Sequence, residues 1–351
     1  MKFLFIVSIL LGSLQASASF EGLDAETLKN SSISFFTRPC CSFANSFIQH
    51  KVGLAGLYLD PSKLGEHRFA RIGDEDDKED KVGLIYTCKG GFIDVSHVRD
   101  TADWAAHILY NLSSWIGSGR EVLAREEGSF ETRGVYFPKL TTKQLTSLSK
   151  ADLADLAVAI SNSMALLHEI PTSFNIQKGS AFSVEDAYSN LLGSYLGVRA
   201  AQGPLPFNRA MSEILLSELS ELGSMEKKKT VIVHKMVKNL WWKSSFSGGF
   251  DSVLKRDFTF EDDIRPFRVD AVPYCQSDAE KVLKIPAVLS NGRSVNEYFQ
   301  IRGQMKEHFF EKLAKIGVHI QGPLTQEHYP EVIQGIRSHF ARKLGETLDQ
   351  N

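Results

Sequence analysis

The chain has 351 residues, 43% of them hydrophobic, with 40 Lys and Arg against 42 Asp and Glu, for a net charge of −2. That length and apolar content support a large packed core, as one big domain or two. The near-neutral balance gives no reason to expect nucleic-acid binding.

In chain order, Met1-Lys2 is followed by an apolar run from Phe3 to Leu14 and then by Gln15-Ala16-Ser17-Ala18. A positive start, a short apolar stretch and an A-x-A site predict a cleavable signal peptide over residues 1–18. The run is too short to cross a bilayer comfortably, and no later segment holds an uninterrupted apolar run of that kind. A periplasmic or secreted chain with no integral span in its mature form is therefore expected. Residues 19–351 are expected to form a single mostly helical domain.

Four cysteines remain after the leader: Cys40, Cys41, Cys88 and Cys275. In an exported chain an even number predicts disulfides rather than a thiol enzyme. Adjacent cysteines bridge poorly. Cys88 and Cys275 are therefore expected to be the partners of Cys40 and Cys41, in one of two pairings. Residues 74–80, almost all acidic, read as a solvated loop.

Val82 to Cys88 is strand-like and is stopped at Gly90-Gly91. A helix is predicted from about Asp94 to Trp115, with Asp94 near its N-cap and Val98, Ala102, Ala105, Leu109 and Leu112 on its apolar stripe. Val135 to Phe137 reads as a short strand. Ser149 to Asp152 opens a helix that Pro171 should end near Ile170. Ser183 to Asp186 repeats the capping pattern and opens another, running to about Gln202. Further helices are predicted near 207–222 and 226–240, and long amphipathic stretches at 294–316 and 325–348. Residues 241–276 read as an irregular insertion with one strand-like piece at 256–260. The fold class is mainly α (α+β), a helical core with a few short strands.

Three places put ionisable residues where packing does not ask for them. Helical geometry sets His97, Trp104 and Ile108 on one flank of the first apolar stripe. His168 and Glu169 occupy the last turn of the second helix, where the helix's own partial negative charge opposes a carboxylate. Glu169 is therefore expected to carry a raised pKa. Glu185 falls on an apolar stripe with Tyr188 and Leu192, so it must be paired, protonated or metal-bound.

A helical hairpin would bring Glu169 and Glu185 together, which suggests two chemistries. One is a zinc site with His97, His168 and Glu185 as ligands. The other is a carboxylate pair for glycoside hydrolysis, with Glu169 as acid and Glu185 or Asp186 as the second group. The expected catalytic set is Glu169, Glu185, His97 and His168. Asp103, Trp104, Tyr188 and Asn190 are expected to contact substrate, a cell-envelope polymer such as peptidoglycan. The rival expectation is a non-enzymatic envelope protein in which the same residues form a buried polar network.

Several of these segments taken together resemble a known family. They are Arg38-Pro39-Cys40-Cys41, Tyr86 to Asp94, His97-Val98-Arg99, Ala102-Asp103-Trp104, Leu167 to Ile170 and Ser183 to Gly193. Leu254 to Phe258, leading to Pro273 and Cys275, adds a C-terminal part. The family is an exported bacterial one known only as domain of unknown function 4056, and the resemblance spans residues 35–280. It implies a bacterial exported protein and brings no activity with it. The family's Thr-Trp after His-Glu-Ile stands here as Thr172-Ser173, after a proline.

Overall fold

The computed structural model describes residues 38, 57–70, 80–124, 130–174, 180–243, 252–261, 263–275 and 279–348. The signal-peptide expectation and both Cys40 and Cys41 lie outside the described residues.

A hairpin of β1 (Leu84–Thr87) and β2 (Gly91–Asp94) leads directly into α1 (Val95–Trp115). Asp94 caps α1 by accepting the Ser96 N–H at 2.8 Å. A second hairpin, β3 (Arg120–Ala124) and β4 (Phe130–Phe137), follows. Then come the short α2 (Thr142–Thr146) and the long α3 (Lys150–Thr172). The next helices are α4 (Asp186–Gln202), α5 (Phe207–Glu221) and α6 (Lys227–Met236). The two-residue strands β5 (Trp242–Lys243), β6 (Ser252–Val253), β7 (Asp263–Ile264) and β8 (Leu283–Lys284) pair as β5–β6 and β7–β8. The described chain ends with β9 (Gln300–Met305), α7 (Glu307–Lys315) and α8 (Tyr329–Leu348).

The core is built on the crossing of α1 and α4. The two helices run in the same direction. The Asp94 N–H donates to Ser189 Oγ at 2.9 Å, His97 meets Asn190, and further along Ala102 backs onto Gly197. The approach is close enough to need glycine. A methyl group on Gly193 would fall 2.1 Å from Thr101 Oγ1 and 2.2 Å from the Val98 carbonyl. One on Gly197 would fall 2.2 Å from the Ala102 carbonyl.

Helix α3 runs opposite to both. Its Ser161 hydroxyl donates to the Thr101 carbonyl and lies 3.1 Å from Ser194 Oγ. It is long and apolar enough by composition to cross a membrane, yet most of its apolar window is buried among its neighbours, as befits a core helix. β9 and α8 cover its other side, where Tyr329 donates to the Ser163 carbonyl at 3.0 Å.

The mainly α (α+β) architecture expected from the sequence is what the chain adopts. Helix α1 begins within a residue of its expected start and ends at Trp115 as expected. Helix α3 runs past Pro171 to Thr172, beyond the expected stop. Proline in a last turn forfeits one bond but leaves the turn's geometry intact. There Thr172 donates to the His168 carbonyl and Ser173 Oγ to that of Glu169.

Three expectations fail for stated reasons. The stretch 294–316 is not one helix, because residues 300–305 alternate in burial at the strand period and pair as β9 with β4. Residues 256–260 form no strand; only an isolated bridge joins Arg256 to Ser183. Asp80 is not a solvated loop residue but is fully buried, because the guanidinium groups of Arg38 and Arg99 compensate its charge.

The cysteine pairing is also corrected. Cys88 bonds to Cys275, with Cα atoms 5.3 Å apart and a sequence separation of 187. The segment 263–275 lies against the end of the β1–β2 hairpin, with the Val269 N–H donating to Tyr86 Oη, and this places the two sulfurs together. Closing so long a loop restricts the unfolded chain by up to about 5 kcal/mol in the chain-entropy account.

Candidate functional site

The topology brings three helix ends to one place. Because α1 and α4 are parallel, their N-termini meet. Because α3 is antiparallel, its C-terminal turn arrives beside them. Asp94 stands at the start of α1, Glu185 and Asp186 at the start of α4, and Glu169 in the last turns of α3. His97, one turn into α1, sits among all of them.

The His97 ring is fixed by Asn190, whose Oδ1 lies 3.0 Å from its Nδ1. Its Nε2 is 3.8 Å from both Asp94 Oδ2 and Asp186 Oδ1. Those separations are too long for direct hydrogen bonds and fit electrostatic pairing or a bridging atom. Burial pulls the His97 pKa down, but Asp94, Glu169 and the Asn190 contact outweigh it and leave it raised.

The carboxyl groups are held unequally. Glu169 Oε2 accepts the Phe182 N–H at 2.9 Å. Asp186 Oδ2 accepts the Ser183 N–H at 2.8 Å, while Ser183 Oγ donates to Glu185 Oε2 at 2.5 Å. The capping box expected at Ser183 is therefore only half made. Asp186 reaches back as expected, but Ser183 turns its hydroxyl to Glu185, which is the N-cap residue and makes no side-chain cap.

Burial drives Glu185 up to about 7, with Asp94 adding to the rise and Ser183 and His97 opposing it. Burial, Glu169, Glu185 and Asp94 push Asp186 well above the ordinary aspartate range. Two helix N-termini favour negative charge here but act over only a turn. Glu185 and Asp186 lie side by side with both carboxyls raised, so the pair holds on to protons more readily than free carboxylates.

The segment 253–260 closes the site. Arg256 donates through Nη1 to the Ala181 carbonyl and stacks over Phe340 at 3.9 Å. Burial lowers its pKa to about 10, an effect that Asp186 and Glu169 resist, so it stays charged at neutral pH. The Asp257 N–H donates to the Phe182 carbonyl at 2.9 Å.

Glu169, Asp186, Asn190 and Asp257 line a narrow cleft beside Asn162 and Phe260. The space within it is about 20 Å³, room for one water-sized molecule. Glu185 Oε1, Asp186 Oδ1 and Asp257 Oδ2 are buried and accept no hydrogen bond from the protein.

Of the residues expected to act, His97, Glu169 and Glu185 come together, and Asn190 joins them. His168 is half-buried and is not among the cleft's lining residues. Among the described residues no group of three or more His, Cys, Asp or Glu is placed to hold a metal ion, so the His97–His168–Glu185 zinc set does not assemble.

Asp103 and Trp104 face away from the cleft into the protein. Asp103 accepts from Arg38 and His67, and Trp104 is buried in the core. Tyr188 is buried too, with its hydroxyl donating to the Lys281 carbonyl. Sequence reasoning gave Asp94 a capping role alone and missed Arg256 and Asp257. They fall in the run Arg256 to Phe260, read from the sequence as strand-like, and in the segment Leu254 to Phe258 that carries part of the family resemblance.

The raised Glu185 pKa has a measurable cost. Its folded value exceeds its ordinary value of 4.5, so the folded state holds a proton that rising pH removes. That contribution to stability is complete below about pH 4.5 and is lost as pH rises through about 7. Glu185→Gln should therefore match wild type in urea unfolding at pH 4 and exceed it at pH 8.

The fold and this site define an α+β protein with a buried carboxyl cluster where three helix ends meet. The chain belongs to the family described as Protein of unknown function (DUF4056), whose model matches residues 32–270. No curated protein and no solved structure matches it.

Proposed function

We propose that the protein is an exported bacterial hydrolase acting on peptidoglycan or another cell-envelope polymer. The observation that carries this reading is the convergence of Glu169 and Asp186 on one cleft, with His97 and Glu185 behind them. General acid–base hydrolysis needs one group that holds a proton and one that accepts it. Burial and the neighbouring carboxyls of Glu169, Glu185 and Asp94 raise Asp186 well above the ordinary aspartate range, which suits it to donate to a leaving group. Glu169 is oriented by the Phe182 N–H and is suited to accept a proton from water. His97 and Glu185 then supply and store protons for the pair.

Export is supported by the leader-like first 18 residues and by the Cys88–Cys275 bond, which persists best in an oxidising compartment. The choice of polymer follows from that compartment.

The test is digestion of purified sacculi by the disulfide-bonded protein. Glu169→Gln is expected to lower turnover by about 10²- to 10⁴-fold, and a chelator to leave wild type unaffected. Digestion by Glu169→Gln at the wild-type rate would overturn the assignment. The narrowness of the cleft favours a second reading, in which the cluster is a polar network that fixes the three helices. It predicts that the same substitution lowers the melting temperature and that no envelope polymer is cleaved.

A further inference from the structure

Helix α6 presents a face that nothing among the described residues covers. Its inner stripe, Thr230, Val233, His234 and Val237, is buried against the β1–β2 hairpin side of the protein. Its outer stripe carries Ile232 and Met236, exposed by 43% and 39%. The coil continues for one more turn, with the Trp241 N–H on the Val237 carbonyl at 2.8 Å, and presents Leu240, exposed by 69%.

The same segment carries Lys227, Lys228, Lys229, Lys235, Lys238 and Lys243, of which Lys228, Lys235 and Lys238 are exposed and the others half-exposed. From Lys227 to Lys243 there is no acidic residue and no arginine, in a chain whose net charge is −2. Lys255 extends the basic surface beside Trp241, at 4.9 Å from its ring. Glu226, at the border, pairs with Lys229 at 3.6 Å.

We propose that α6 and the turn to Leu240 dock the protein on an anionic phospholipid bilayer. Ile232, Met236 and Leu240 enter the headgroup boundary, and the flanking lysines lie among the phosphates. Charge complementarity selects this occupant, and the type of cation sharpens the choice. Protein–protein interfaces are depleted in lysine and enriched in arginine and aromatics. Discrete phosphate sites favour the arginine fork. Flexible lysines around unbranched and aliphatic side chains suit a diffuse, mobile anionic surface, toward which their stems can snorkel. With three apolar anchors, docking is reversible and salt-sensitive.

The experiment is co-sedimentation of the full folded chain with vesicles of equal parts phosphatidylglycerol and phosphatidylcholine, and with phosphatidylcholine alone. Binding is expected on the anionic vesicles only, and it should weaken as salt rises. The double variant Lys228→Gln/Lys235→Gln should lower the partition coefficient about 30-fold. Leu240→Ser should weaken it further at high salt, where the apolar contribution dominates. These side chains are exposed, so unchanged melting temperatures will confirm that the variants fold. Equal binding to both vesicle types, no binding, or unaltered binding by the lysine variant would overturn the proposal. So would a dimer in size-exclusion chromatography that Leu240→Ser dissolves, because the face would then be a self-association surface.

Discussion

Gly193→Leu is expected to abolish folding, and Gly193→Ala to cost about 3 kcal/mol or more. Overpacking usually costs 1–3 kcal/mol where side chains can shift. Here the added methyl would meet main chain, 2.2 Å from the Val98 carbonyl and 2.7 Å from the Val98 Cα, as well as Thr101 Oγ1. Helix α1 cannot retreat, because α3 packs against it through the Ser161–Thr101 contact. Gly197→Ala should behave alike, since Ala102 offers carbonyl oxygen and Cα at 2.2 and 2.5 Å. Thermal unfolding by circular dichroism checks both. If either alanine variant melts within a degree or two of wild type, the helices do not cross as closely as described. The expected damage includes the site, since this crossing brings Asp94 and His97 to Asp186 and Asn190.

The second large effect concerns Arg38. Its guanidinium donates to Asp80 at 2.9 Å, Asp100 at 2.7 Å, Asp103 at 2.9 Å and the Arg68 carbonyl at 2.6 Å. Arg99 shares Asp80 at 2.5 Å, and His67 Nε2 lies 2.7 Å from Asp103. Burial pushes the His67 pKa down despite Asp103, so the ring is neutral. A neutral ring donating from Nε2 to Asp103 can accept from Arg99 at Nδ1, 3.2 Å away, and the contacts assign that tautomer.

Removing one partner of a buried ion network leaves uncompensated charge, at a cost of about 3–5 kcal/mol. Arg38→Met should lose that much at pH 8. The loss should shrink as pH falls toward 5, because the aspartates it abandons can then take up protons. Burial already holds Asp100 near 6 even beside Arg38, whereas in Asp103 the Arg38 and His67 contacts outweigh burial and lower it. Urea unfolding at the two pH values decides the matter, and a loss that does not change with pH would place these carboxylates in water.

Elements that depend on local pattern were legible in the sequence. The apolar spacing and the Asp94 cap define α1, and the Ser149–Asp152 box opens α3 with its side-chain and backbone bonds both made. Glu185 on an apolar stripe signalled a perturbed carboxyl, and it is one. What the sequence hid is long-range. Nothing local says that Arg256 and Asp257 return to the turn at 181–183, or that Arg38 reaches the second turn of α1. The period-2 alternation of β9 was masked by the helix-like stretch that follows it. The cysteine partners were misassigned for the same reason, since pairing depends on which distant segments pack together.

The parallel arrangement of α1 and α4 also bears on how the chain acquires its structure. Neighbouring helices in simple bundles are antiparallel and joined by short loops, so their contacts form early between residues close in the chain. Here the contacts that define the centre join residues 95 apart, as Asp94 and Ser189 do. Their loop-closure entropy must be met before any of that packing is gained. A protein mostly helical in content should therefore fold at a rate set by its non-local crossing, more slowly than its helices alone would suggest.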